Sequence, residues 1–183
     1  VMDLQFEDVP GRSAAEGGVV IVPNITEGPR AVVVRVVFDL GERPAVAEAA
    51  LRTHLNARES GPFVPAHLVL DTRNLETYYE SLGFLNRLVE VRAEFNAAAT
   101  EAVIVVFARE GPQITVGEIT VVGNERLSRD DILREITLRP GEPYSEAARV
   151  DSQRRLYNLS SFRSVRITAQ PRLPGETVTR IVI

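Results

Sequence analysis

Lysine never occurs among the 183 residues: all 21 basic side chains are arginine, set against 25 acidic ones for a net charge of −4. Cysteine and tryptophan are also missing, and histidine is confined to His54 and His67. Without cysteine there is no disulfide framework, zinc finger or thiol nucleophile. The two histidines fall outside any HxxxH or HExxH pattern, so no histidine metal site or catalytic pair is expected. Long apolar runs are absent too. The longest stretch free of Asp, Glu, Lys and Arg is Ser60–Leu70, eleven residues, well short of the ~18 that a membrane-spanning helix needs. The arginines are dispersed, which fits the codon bias of a GC-rich genome and lacks the clustered positive charge of a nucleic-acid binder. No Gly-rich phosphate loop is present; Gly17-Gly18 reads as a hairpin turn. The chain opens on Val1 without a charged-then-apolar leader, which reads as a trimmed piece.

What is present is repetition. Glu27-Gly28-Pro29-Arg30 recurs 83 residues later as Glu110-Gly111-Pro112-Gln113, and the same order of events follows each copy. A β-rich run comes first, Ala31–Phe38 or Ile114–Val122. A polar turn follows, Gly41-Glu42-Arg43 or Gly123-Asn124-Glu125-Arg126. A helical stretch is next, Ala45–Leu55 or Arg129–Leu138. Gly61-Pro62-Phe63 then parallels Gly141-Glu142-Pro143-Tyr144. A second helix carries Asp71 or Asp151 and closes on Tyr79-x4-Phe84 or Tyr157-x4-Phe162. Two alternating runs complete each unit, giving β-α-α-β-β.

The helices are read from period and caps. Leu68, Leu75 and Leu82, with Tyr78 and Tyr79, form one apolar stripe. Ser128 ahead of Asp131 is a capping signature, and Ser145 ahead of Ala148 is a plain N-cap. The strands are read from period two. Val89, Val91, Ala93 and Phe95 alternate with Glu90, Arg92 and Glu94, so one face is apolar and the other charged. Ala102–Ala108 is apolar throughout, as for a central strand covered on both sides or deep in a sheet. Val165–Ala169 and Thr177–Ile183 are the matching runs of the second unit. Residues 1–29 contain no helix signal. Leu4, Phe6 and Val19–Ile25 look like the closing hairpin of an earlier copy, and the chain stops inside a strand, so both ends read as excised.

Candidate catalytic groups are sparse. Asp71 and Asp151 occupy the same place in the two units, but neither has a recurring partner acid, base or metal ligand, so a local hydrogen bond is expected of them. Tyr79, Phe84, Tyr157 and Phe162 are spaced for core packing. Asp130-Asp131 suits the first turn of a helix, and Arg154-Arg155 a solvated helix face. No metal, cofactor or enzymatic chemistry is expected. Gly28-Pro29 and Gly111-Pro112, at the unit junctions, read either as hinges setting the angle between units or as ordinary turns; their shortness predicts limited motion.

Val121-Val122-Gly123-Asn124-Glu125-Arg126, Leu138-Arg139-Pro140-Gly141-Glu142-Pro143-Tyr144-Ser145 and Leu156-Tyr157-x4-Phe162-x2-Val165 together resemble the POTRA (polypeptide-transport-associated) repeat. The resemblance is close over 112–183 and looser over 30–111, where Leu40-Gly41-Glu42 replaces the Gly-Asn turn and Asn56–Pro65 is longer. Residues 1–29 match only as the terminal hairpin of a truncated preceding repeat. The resemblance implies an α/β (α+β) fold in which each repeat packs two helices on one face of a three-stranded mixed sheet. It also implies a periplasmic module of a BamA-type outer-membrane protein assembly factor that ends in a barrel. Its partners would be unfolded outer-membrane proteins and accessory lipoproteins, docked by β-augmentation, the addition of a strand to a sheet edge. Those edges map to Val89, Glu90, Val91, Arg92, Ala93, Glu94 and Phe95, and to Val165, Arg166, Ile167, Thr168 and Ala169. TamA-like or polypeptide-secreting transporters, and division-type POTRA scaffolds, are the alternatives. Small repeats of this size have small cores, so junction contacts are expected to matter for stability. Charge also differs along the chain. Residues 1–29 hold one basic and five acidic side chains, 30–111 nine and eleven, and 112–183 eleven and nine. If the array runs toward a membrane at its C-terminal side, its positive unit is the nearer one.

Overall fold

The computed structural model describes residues 2–5, 22–25, 30–159 and 162–183. Strands β1 (Met2–Gln5) and β2 (Val22–Ile25) form an antiparallel pair, Met2 facing Ile25 and Gln5 facing Val22. Phe6, Gly17-Gly18 and the junction Gly28-Pro29 lie outside the described residues.

Two units of like topology follow. The first comprises β3 (Val32–Asp39), α1 (Glu48–Arg52), α2 (Pro65–Ser81), β4 (Leu88–Phe95) and β5 (Glu101–Arg109). The second comprises β6 (Thr115–Thr120), α3 (Arg129–Glu135), α4 (Glu146–Asn158), β7 (Thr168–Ala169) and β8 (Val178–Val182). The sheet orders are β3-β5-β4 and β6-β8-β7. In each, the first strand runs parallel to the central last strand, and the hairpin strand runs antiparallel to it. Each sheet is therefore mixed, and each unit has its own buried core.

Local chemistry accounts for the helices. Pro65 takes the first helical position of α2, where its missing N–H costs nothing. Asp71, Leu75 and Tyr79, four residues apart, form its buried face. Ser128 accepts from Asp131 N at 3.2 Å, and Ser145 from Ala148 N at 3.4 Å, so both expected caps form. The first helix of the first unit is shorter than the expected Ala45–Leu55. It is only five residues long, and Ala47 at its N-cap has no polar side-chain atom to offer.

The hydrogen bonds also set the repeat in register. Val33 N donates to Gly61 O and Ser60 N to Val33 O; Val116 N donates to Glu142 O and Gly141 N to Val116 O. The offset is thus 83 at the first strand and 81 from the inter-helix turn onward. This corrects one expected equivalence. Asp71 corresponds to Ser152, not Asp151. Both are fully buried, and both accept from the backbone N–H of the chain leaving the preceding helix. Asp71 takes Asn56 N (2.6 Å) and Ala57 N (3.1 Å), and Ser152 takes Thr137 N (2.9 Å). Asp151 faces outward and pairs with Arg154 and Arg155. Tyr157 is likewise corrected. Tyr79 is buried and meets Phe84 edge-on at 5.9 Å, whereas Tyr157 is 64% exposed. Ala102–Ala108 is central as expected but fully covered on one face only. Ala102, Ile104, Val106 and Ala108 are buried, and on the other face Arg109 lies 4.2 Å over the Phe107 ring.

Candidate strand-docking edges

A three-stranded sheet has two edges, and unpaired backbone groups there can pair with another chain. In both units the first-strand edge is already occupied. Val33 exchanges two bonds with Ser60 and Gly61, Ala31 O accepts from Phe63 N, Val36 N donates to Glu59 Oε1 (2.9 Å), and Arg52 reaches Val36 O (3.1 Å). A bulge after Val33 brings Val36 into this outward set. In the second unit Val116 bonds Gly141 and Glu142, Ile114 O accepts from Tyr144 N, and Arg129 reaches Ile119 O (3.3 Å), again across a bulge. Sequence reasoning missed these closures, because the donors come from turns and arginines distant in the chain.

Among the described residues the opposite edge of the first unit is open. Strand β4 pairs with β5 from Leu88↔Arg109 to Phe95↔Ala102. Asn96 N donates to Glu101 O at 3.1 Å. Backbone groups alternate in direction along an antiparallel strand. Glu94, Arg92 and Glu90 therefore turn their N–H and C=O toward β5, and Val89, Val91, Ala93 and Phe95 turn theirs to the open side. Their side chains follow the expected alternation. Val89 and Val91 are buried, Glu90, Arg92 and Glu94 are exposed, and Phe95 is about half exposed with its ring edge-on to Phe63 at 5.0 Å. Arg92 and Glu94 pair at 3.4 Å.

The second unit differs. Only Thr168 and Ala169 of the expected run form a strand; Val165, Arg166 and Ile167 do not. Gln170 N donates to Arg180 O, so by the same alternation Ile167 and Ala169 face outward. Ile167 is held from outside the sheet: its N–H donates to Gln153 Oε1 (3.3 Å) and its carbonyl accepts from Arg149 (2.9 Å).

Gly111 and Pro112 lie in a sutured junction. Ile114 N donates to Gly83 O (2.8 Å), Gln113 Nε2 donates to Leu82 O (2.8 Å), and Leu85 of the first unit packs against the core of the second. Gly111 sits at φ +68° against Asn86. Glu110 ties the linker back into the first unit, its two oxygens accepting from Ala45 N (2.8 Å) and Val46 N (2.9 Å). The recurring Glu-Gly-Pro marked this place, though not the anchoring role of its glutamate.

Two tyrosines have perturbed hydroxyls. Burial, then the nearby Glu110 charge, pushes Tyr79 up to about 12, and among the described residues its buried hydroxyl has no hydrogen-bond partner. Burial, then its hydrogen bond to Glu146 (2.7 Å), raises Tyr144. His54 stacks on Tyr78 at 4.0 Å, a packing contact. Among the described residues no group of three or more His, Cys, Asp or Glu is placed to hold a metal, and no helix is long and apolar enough to cross a membrane.

Residues 114–183 match the family model for POTRA, described as "Surface antigen variable number repeat". A "Putative outer membrane protein assembly factor" of Treponema pallidum (strain Nichols) is 30% identical over 135 residues, which is 68% of this chain. The chain spans 16% of that relative's length. Among solved structures, Haemophilus influenzae BamA POTRA3-5 superposes with a TM-score of 0.55 and 18% identity, covering 100% of this chain and 69% of that one. BamA from Haemophilus ducreyi lacking POTRA domains 1-3 gives a TM-score of 0.60 and 17% identity, covering 84% and 28%. POTRA1-2 of Omp85 from Anabaena gives 0.52 and 14%, covering 85% and 96%. At these identities the structural likeness is one of fold.

Proposed function

Residues 114–183 belong to the POTRA family, and from that premise we propose that the chain is a periplasmic, non-enzymatic module of an outer-membrane protein assembly factor that receives client segments along the β4 edge. In this reading residues 30–111 and 112–183 are two successive repeats, and residues 1–29 are the C-terminal hairpin of a truncated preceding one. The full protein carries a C-terminal barrel, and accessory lipoproteins dock on the repeat array.

The observation that carries the reading is the outward row of N–H and C=O groups at Val89, Val91, Ala93 and Phe95, on the one long edge that the described residues leave unpaired. A strand added there gains main-chain hydrogen bonds whatever its sequence, which suits a factor handling many clients. Its chemistry also suits the clients. Barrel strands alternate apolar and polar side chains, and β4 alternates buried valines with Glu90, Arg92 and Glu94 on the solvent face. An added strand in matching alternation lays its apolar side chains on the helix-covered face and its polar ones beside the charges. Salt screens the exposed charges of that face but leaves main-chain hydrogen bonds almost unchanged, so docking is expected to depend little on ionic strength.

The test is an amide-resolved NMR titration of the chain with a peptide taken from a barrel strand of an outer-membrane protein. Shifts concentrated on Val89–Phe95 are expected. Shifts confined to helix surfaces, or none at a peptide concentration in the millimolar range, contradict the reading.

A further inference from the structure

We propose that the two repeats are unequal in strand docking: the β4 edge of the first is open, and the corresponding edge of the second is closed by its own helix through Arg149 and Gln153. The occupant of the open edge is an extended segment of alternating apolar and polar residues. The inference rests on the reading of β4 as a docking edge and adds which repeat docks and what keeps the other from docking.

The equivalence comes from the pairing register. Val36 pairs with Ile104, which pairs with Ala93; Ile119 pairs with Ile181, which pairs with Ala169. Since Val36 and Ile119 each stand three residues after the matched Val33 and Val116, Ala93 corresponds to Ala169 and Val91 to Ile167. Val91 offers its backbone groups to the open edge. Ile167 has the same groups in the same direction, and both are taken, the N–H by Gln153 Oε1 and the carbonyl by Arg149. An incoming strand needs those two groups for its central pair of bonds.

The closure is built. Arg149 donates to Gln153 Oε1 (3.1 Å) and, through Nε and Nη2, to Glu146 Oε1 (2.8 and 2.5 Å). Glu146 is itself fixed by the Tyr144 hydroxyl at 2.7 Å. Charge-assisted bonds of this kind hold a planar guanidinium in one orientation. The helix offset of 81, set by Asp71 and Ser152, places Leu68 and Thr72 where the second repeat has Arg149 and Gln153. Leucine has no polar atom to offer, and the Thr72 hydroxyl donates to Leu68 O (2.8 Å) within its own helix. The first repeat thus lacks the groups that close the second. With Ile167 held from the side, the run leading into β7 leaves the sheet, which accounts for a two-residue strand where an alternating sequence predicts five.

The experiment uses the whole chain and needs no ligand for its first arm. In native-state hydrogen exchange, the Ile167 amide is expected to be protected and the Val91 amide to exchange close to the rate of an open edge. Losing one hydrogen bond of ordinary strength, as in Gln153→Ala, should speed Ile167 exchange by about five- to tenfold. The second arm titrates a capped peptide of about ten residues, alternating valine and threonine, the length of a barrel strand. Shifts confined to Val89–Phe95 in the natural chain, extending to Ile167–Ala169 in an Arg149→Ala/Gln153→Ala variant, are the expected result. Equal exchange at Ile167 and Val91, or equal shifts at both edges of the natural chain, overturns the closure. If Ile167 is protected but no edge shifts in either protein, the docking reading itself fails. The two arms on the natural chain decide the question even if the double variant does not fold.

Discussion

Ser60 adopts φ +64° at the turn before α2, and the matching residue of the second repeat is Gly141 at φ +85°. A side chain in the left-handed region costs roughly 1–2 kcal/mol, and glycine gives back part of that through its looser unfolded state. Ser60→Gly is therefore expected to raise stability by about 0.5 kcal/mol net of that entropy, read as a higher urea midpoint at constant slope. Tyr79 supplies a second test at this scale. Its hydroxyl is buried without a partner among the described residues, and Glu110, near enough to shift it, uses both oxygens on Ala45 and Val46. Tyr79→Phe should stabilise by about 1 kcal/mol, the cost of a buried unsatisfied polar group, and a loss of stability would mean that the hydroxyl is hydrogen-bonded. Single residues are where the sequence was least legible. Asp151 looked like the partner of Asp71 because both are aspartates at a similar place. The structure pairs Asp71 with Ser152, since accepting a backbone N–H needs only an oxygen at the right helical phase.

At the scale of elements, most of the reading was available beforehand. Ser128, Ser145 and the period-two runs marked helix starts and strands that the fold retains. β7 was not legible, because Val165-Arg166-Ile167-Thr168-Ala169 alternates as well as β4 does. Its fate is decided by Arg149 and Gln153, on a different element. The buried tie between the second helix and the segment leaving the first is the feature that each repeat depends on. Asp71 receives Asn56 N, Asn56 Nδ2 and Ala57 N. Asp71→Ala removes all three acceptor contacts and strands two backbone donors, so it should cost about 3 kcal/mol or more. Asp71→Ser, copying Ser152, should cost about half as much because one charge-free bond survives. Equal losses for the two variants, measured by denaturation, would mean that the site works by packing alone.

For the whole molecule, the question is whether the repeats hold a set angle. The Glu-Gly-Pro signal located the junction, and its shortness predicted restricted motion. The contacts across it were invisible in sequence, because Gly83 and Leu85 look like an ordinary loop after a helix. Gly83 has φ +86°, and a Cβ there would stand 2.5 Å from Ile114 O. Gly83→Ala should thus break the Gly83–Ile114 bond while leaving each core intact. Small-angle scattering should then show a larger radius of gyration and a broader distance distribution, with both repeats still folded by circular dichroism. Unchanged scattering would mean that the Gly83–Ile114 bond does not set the angle.

The most direct test of the open-edge account is a proline at Ala93. The Ala93 N–H points away from β5, so Ala93→Pro removes an outward donor without touching the ladder, a position where edge strands tolerate proline. Peptide affinity is to be measured for the natural chain and the variant by titration calorimetry, with thermal melting as the folding control. At least a ~10-fold loss of affinity is expected, one or two main-chain bonds, with a melting temperature close to that of the natural chain. A folded Ala93→Pro chain that binds the peptide as tightly as the natural one would contradict it.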